Sequence, residues 1–212
     1  MSFGYPVMLE LAGRRCVVIG RLAVREGKVE GLLAAGATHV VVLADGVDDR
    51  FDGSPEVRVE RRAWRPADLD GAFLVIGSSG DAATRAAIAR EARVRGALVN
   101  VLDDIPNCDW AAPAVVRRGD LVLAIGTGGV SPAVARLVRE RLERSFGPEW
   151  AEVLRVVGEV RDETIALIPV FDERARRWRA ALDLDEAIEL VRAGCAAELR
   201  VRLRDRLLAE AS

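Results

Sequence analysis

The chain has 212 residues, half of them hydrophobic and 30% charged, with 31 basic against 33 acidic side chains for a formal net charge of −2. Such a composition can bury a core and argues against disorder, and the near-neutral balance argues against a polyanion binder that relies on bulk positive charge. Three scattered cysteines (Cys16, Cys108, Cys195) form no close-spaced metal or redox pattern, and the single histidine, His39, excludes chemistry that needs two within one chain.

In chain order, Cys16–Ile19 is a β-branched run that leads into Gly20, and Val24–Ala35 reads as a helix closed by Gly36. A second run, Val40–Leu43, ends at Ala44-Asp45-Gly46. The alternating stretch Val57–Glu60 follows, and then Phe73–Ile76 before Gly77-Ser78-Ser79-Gly80. A helix over about Asp81–Arg95 precedes the strand Leu98–Leu102. Buried runs alternating with helices predict a parallel sheet covered on both faces, whose ligands bind beyond the carboxyl ends of the strands. From Pro113 the pattern changes. Val115–Ile125 reads as two short strands around Arg118-Gly119-Asp120. Ser131 then caps a helix that Pro132 opens. From Pro148 to Ser212 the chain reads as helix, with breaks near Ile168-Pro169, Leu182-Asp183 and Gly194. The expected fold class is α/β: a Rossmann-like parallel sheet domain, a small α+β segment and a helical C-terminal domain, divided as 1–112, 113–147 and 148–212.

A strand, a tight turn and a helix start form a site for a dinucleotide pyrophosphate, and Asp45, 25 positions past Gly20, could hold a ribose hydroxyl. The full G-x-G-x-x-G is absent. Gly20-Arg21-Leu22-Ala23-Val24-Arg25 keeps its first glycine only, with leucine where backbone would approach phosphate and arginine where helix meets strand. On this motif alone, nucleotide binding and a plain strand-to-helix turn stand level. Gly126-Thr127-Gly128-Gly129 lacks the lysine of a Walker motif, so a nucleoside triphosphatase is not expected. Arg61-Arg62-Trp64-Arg65 reads as surface rather than as a nucleic-acid patch, and no apolar run reaches the roughly 18–20 residues of a membrane span. The first residues lack the basic start of a signal peptide, and unpaired cysteines suit a reducing compartment, so the expected location is cytoplasmic.

Several stretches together resemble the precorrin-2 dehydrogenase/sirohydrochlorin ferrochelatase family, the N-terminal module of siroheme synthases. They are Tyr5–Leu11, Gly13-Arg14, Lys28, Leu32–Ala37, Asp68–Ile76, Val99–Asp104 with Cys108-Asp109, and Pro113–Gly119. The last of them is Thr127-Gly128-Gly129-Val130-Ser131-Pro132-Ala133-Val134-Ala135-Arg136-Leu137. The likeness covers residues 5 to about 145 in consistent order.

This resemblance implies NAD-dependent oxidation of precorrin-2 to sirohydrochlorin in siroheme or cobalamin synthesis. It also implies a central dimerisation segment, hence a homodimer, and in some members ferrous iron insertion. It puts the catalytic aspartate on Asp103, the substrate-side hydroxyl on Thr127, and cofactor contacts on Gly20, Ala23, Val24, Ala44 and Asp45, with no resident metal. A carboxylate beside the nicotinamide suits this chemistry, because loss of hydride leaves a cation that must also lose a proton. Arg117-Arg118 and Arg136 with Arg139 are candidates for pairing with substrate carboxylates. The sequence departs from the family at Gly20-Arg21-Leu22, at Gly77–Asp81 and at Arg85. Those departures motivate a second reading, a chelatase or tetrapyrrole-binding homologue that has lost NAD binding. A third is an NAD-sensing interaction module.

Overall fold

The computed structural model describes residues 4–46 and 49–209. These divide into two compact units, one up to Ala112 and one from Pro113.

In the first unit five strands, β1 (Arg15–Ile19), β2 (His39–Leu43), β3 (Val57–Glu60), β4 (Leu74–Gly77) and β5 (Leu98–Val101), form one parallel sheet in the order β3-β2-β1-β4-β5. The inner strands β1, β2 and β4 are dominated by valine, leucine and isoleucine because both of their faces are covered, whereas the edge strand β3 alternates valine with Arg58 and Glu60. Cys16, Val18, Val40, Val42, Leu74 and Ile76 pack on one face. Val17, Ile19, Val41, Leu43, Val75 and Val99 pack on the other. Helices α1 (Arg21–Arg25) and α2 (Lys28–Ala34) cover the first face through Ala23, Val24, Val29 and Leu32. Helix α3 (Ala82–Val94) covers the second through Ile88, Ala89 and Ala92. The chain runs from β1 outward through β2 to β3, then crosses back to β4 on the other side of β1 and outward to β5, so the topological switch lies between β1 and β4, where such sheets bind ligands.

The single helix expected over Val24–Ala35 is two. Gly27 adopts φ +70°, outside the right-handed helical region, and breaks the segment into α1 and α2. Helix α3 begins one residue after Asp81, whose carboxylate accepts the Thr84 amide at 2.7 Å.

The second unit opens with an antiparallel hairpin, β6 (Ala114–Arg118) and β7 (Leu121–Ile125), followed by α4 (Pro132–Ser145). Ser131 accepts the Val134 amide at 3.2 Å. Helices α5 (Glu149–Leu167), α6 (Phe171–Ala181), α7 (Leu184–Arg192) and α8 (Ala196–Leu208) pack around Val153, Val156, Val160, Leu199, Leu203 and Leu207. Arg118 ties the hairpin to α4 by donating to the carbonyls of Phe146 (2.8 Å) and Glu143 (3.2 Å), which have no acceptor role left within the helix. No helix among the described residues is long and apolar enough to cross a membrane.

Candidate active site

The carboxyl ends of β1, β4 and β5 bound a cleft of about 470 Å³, lined by Arg21, Leu22, Ser78–Gly80, Arg85, Leu102 and Asp103. That size lies within the usual range for small-molecule sites.

One wall is the β1 turn. Gly20 has φ +92°, and a Cβ there would stand 2.2 Å from the Ser78 carbonyl oxygen and 2.5 Å from its hydroxyl, so no other residue fits. The Ser78 hydroxyl is buried. It accepts the Ala23 amide at 3.1 Å and donates to the Ile19 carbonyl at 3.1 Å, which locks β1 to β4 across the switch point. Ala23 and Val24 are themselves buried in the core. The residues of this turn that face the cleft are Arg21 and Leu22, the latter 40% exposed. Arg25 points outward, so the arginine at the third motif position does not crowd the strand.

The opposite wall carries Asp103. Among the described residues it is the only non-glycine with positive φ (58°), a backbone state that aspartate tolerates better than most side chains. A compact set of bonds imposes that turn. The Cys108 sulfur accepts the Val101 amide at 3.2 Å, and its one S–H is shared between the carbonyls of Val101 (3.2 Å) and Asp104 (3.3 Å). The Asn100 amide donates to the Trp110 carbonyl at 2.8 Å, and Asp109 accepts the Val99 amide at 3.2 Å and the Arg93 guanidinium at 2.8 Å. The stretch from Val99 to Asp109 is therefore a clamp that holds Asp103 at the end of β5. Burial pushes the Cys108 thiol up, which suits a sulfur with a structural role.

Asp104 plays a different part from its neighbour. Its carboxylate accepts the Asn107 amide and the Arg85 guanidinium, both at 3.0 Å, and those two hydrogen bonds hold it below the usual carboxylate range. Arg85 also donates to the Ser79 carbonyl at 2.9 Å, bridging the two loops beside Asp103. Asp103 itself is exposed and makes no hydrogen bond to any described residue, so its carboxylate is free for a ligand.

Of the other residues singled out in the sequence, Ala44 is buried and Asp45 is exposed, two residues past the end of β2. Thr127 lies in the second unit, in the loop between β7 and α4. Its hydroxyl donates to the Ser131 carbonyl (3.2 Å) and accepts the Ser131 amide (3.3 Å). Several candidate substrate arginines are already engaged: Arg118 at the end of α4, Arg136 with Glu140, and Arg139 with Glu143. The basic cluster near Trp64 is likewise internally paired, Arg61 with Asp49 and Asp52 and Arg62 with Asp68. Sequence reasoning missed the roles of Ser78, Arg85 and Cys108. The one available signal was that the departures at Gly77–Asp81 and Arg85 follow β4, the strand that lies beside the β1 end carrying the lone Gly20.

The residues present fit a dinucleotide. The cleft sits at the switch point, Gly20 makes the close strand-to-helix turn, Gly80 borders open space, and Arg21 lines the cleft with no ion pair to any described residue.

Comparisons with known proteins agree. A family model described as putative NAD(P)-binding matches residues 7–114, and one described as sirohaem biosynthesis protein central matches residues 118–145. The siroheme synthase of Chromobacterium violaceum is 34% identical over 181 residues, 84% of this chain and 38% of that protein. That of Methylococcus capsulatus is 32% identical over 215 residues, 98% of this chain and 43% of that protein. The chain thus spans about two-fifths of the length of these curated relatives. The solved structure of SirC, a precorrin-2 dehydrogenase, shares the fold: TM-score 0.72, 24% identity, with 95% of this chain and 100% of that one covered. Residues 7–114 are half of the sequence, and the chain therefore belongs to the putative NAD(P)-binding family, joined here to the central segment of sirohaem biosynthesis proteins.

Proposed function

We propose that this chain oxidises precorrin-2 to sirohydrochlorin with NAD as hydride acceptor, in siroheme or cobalamin synthesis. The observation that carries the reading is the free carboxylate of Asp103, held in a left-handed turn at a strand end in the switch-point cleft. The siroheme synthase relatives and the SirC neighbour support the same assignment.

When bound, the dinucleotide supplies the hydride acceptor. Gly20 and Leu22 with Ser78–Gly80 would hold it, and Asp45 would meet a ribose hydroxyl. Precorrin-2 gives up a hydride and a proton, so the products are sirohydrochlorin, reduced cofactor and one proton. Asp103 accepts that proton, and its negative charge stabilises the cation formed as hydride leaves. Arg85 keeps the second carboxylate, Asp104, occupied, so that one acid of the pair stays available. Thr127 is proposed as a substrate-contacting hydroxyl. Ala23, Val24 and Ala44 support the cofactor turn through their backbone, their side chains being buried.

The protein acts as a homodimer on this reading. Helix α4 exposes Val134, Leu137 and Val138 along one face and buries none of its residues, as expected of a helix that has its partner in another chain. Leu137→Glu should give a monomer by light scattering. Unpaired cysteines suit a reducing cytoplasm.

Mixing the protein with precorrin-2 and NAD and recording NADH absorbance tests the activity; no NADH at high enzyme concentration overturns it. Leu22, exposed at the cleft where backbone would meet phosphate, favours one competing reading: a sirohydrochlorin ferrochelatase or tetrapyrrole binder without hydride chemistry, taking ferrous iron as substrate. Calorimetric silence toward NAD with retained sirohydrochlorin binding would favour that alternative.

A further inference from the structure

We infer that Arg21 makes the cleft accept a 2′-phosphorylated dinucleotide as well as NAD, acting as the residue that sets cofactor choice. The inference rests on the reading that this cleft takes a nicotinamide dinucleotide.

Three observations carry it. First, the Arg21 guanidinium lies over the turn that ends β2. A Cβ built on Gly46 would be 3.6 Å from its Cζ and 3.7 Å from both Nε and Nη1. Three atoms of a planar group at nearly equal distance from one point mean that the point lies over the plane. The guanidinium thus lies with one face toward Gly46, and none of its N–H groups is bonded to a described residue.

Second, Arg21 makes no hydrogen bond or ion pair with any described residue, in a protein whose arginines are mostly paired. Arg85, the other cation lining the cleft, is spent on Asp104 and Ser79. The free positive charge of the cleft is therefore at its β2 side, opposite the free Asp103 carboxylate.

Third, the carboxyl end of β2 is where a doubly wound sheet holds the adenosine ribose. An acidic residue there reads the 2′-hydroxyl, and a nearby arginine accommodates a 2′-phosphate. This chain has both. Asp45 is exposed next to Gly46, with the Arg21 guanidinium over the same turn. An unopposed Asp45 would repel a dianionic phosphate, whereas the unbonded N–H groups of Arg21 offer it charge-assisted hydrogen bonds. The two opposing effects bring the affinities for the two cofactors together.

Isothermal titration of the full chain with NAD and, separately, with NADP reads this directly. The expected result is dissociation constants within about tenfold of each other. Arg21→Ala should weaken NADP by about 10- to 100-fold and NAD by less than threefold, and Asp45→Ala should tighten NADP. An equal loss of both cofactors in Arg21→Ala would mean that Arg21 serves the shared diphosphate, and would overturn the inference. NAD binding without NADP binding overturns it also, leaving the dehydrogenase reading intact. Binding of neither cofactor sinks the dehydrogenase reading and this inference with it.

Discussion

Gly20 and Ser78 meet across the switch point so closely that the missing side chain of one is the space occupied by the other: a Cβ on Gly20 would lie 2.2 Å from the Ser78 carbonyl oxygen. The contact joins the end of β1 to the end of β4 and sets the floor of the cleft. It also explains why the first glycine of the turn persists while the others are gone. The second and third motif positions, Leu22 and Arg25, have their side chains at the surface, where backbone approach within the protein is not required.

Gly20→Ala should therefore be severely destabilising. Positive φ and the clash with backbone together cost roughly 2–5 kcal/mol, seen as a lower urea midpoint. Ser78→Ala removes the acceptor for the buried Ala23 amide and should cost about 1–3 kcal/mol. Unchanged midpoints in both variants would show that the junction is not structural.

At Asp103 chemistry and backbone can be separated. Asparagine also tolerates left-handed φ, so Asp103→Asn should fold with near-normal stability while kcat falls by about 10²–10⁴-fold. Asp103→Gly should be equally inactive without losing stability, because glycine relaxes the φ of 58°. Retained turnover in Asp103→Asn would remove the carboxylate from the mechanism.

Cys108 should matter for geometry rather than reactivity. Cys108→Ala leaves the Val101 amide without its acceptor, costs about 1–3 kcal/mol and lowers kcat through a displaced Asp103. Burial raises the Cys16 thiol to about 11 and pushes Cys108 up as well, while Cys195 is only half-buried. Alkylation of the native protein, read by mass spectrometry, should label Cys195 first. Early labelling of Cys108 would contradict the clamp.

In the helical unit, Glu186 bonds to Arg206 and Arg202, which lower its pKa from 4.5 to about 2. A carboxyl whose folded value is depressed stabilises fully above its unfolded value and loses that contribution as pH falls toward 2. Thermal unfolding followed by circular dichroism should show a wild-type advantage over Glu186→Gln at pH 6 that shrinks between pH 4.5 and 2. A constant difference over that range would refute the assignment.

Much of the fold could be read from residue order. The runs at Cys16–Ile19, Val40–Leu43 and Leu74–Ile76 are apolar on both faces, which only a covered parallel sheet satisfies, and Ser131-Pro132 and Asp81 announce helix starts through local capping chemistry. Asp103 and Thr127 came from a resemblance rather than from periodicity, because a single acidic or hydroxyl residue has no pattern of its own.

Contacts distant in sequence were decided by tertiary structure. The break at Gly27 needed a backbone angle, not a composition. The closing of Gly20 on Ser78 joins residues 58 positions apart, and the clamp through Cys108 depends on a turn that returns the chain to β5. The charge balance of the cleft is also a three-dimensional fact: which arginine is free follows from which carboxylates fold next to the others, and no linear motif records that.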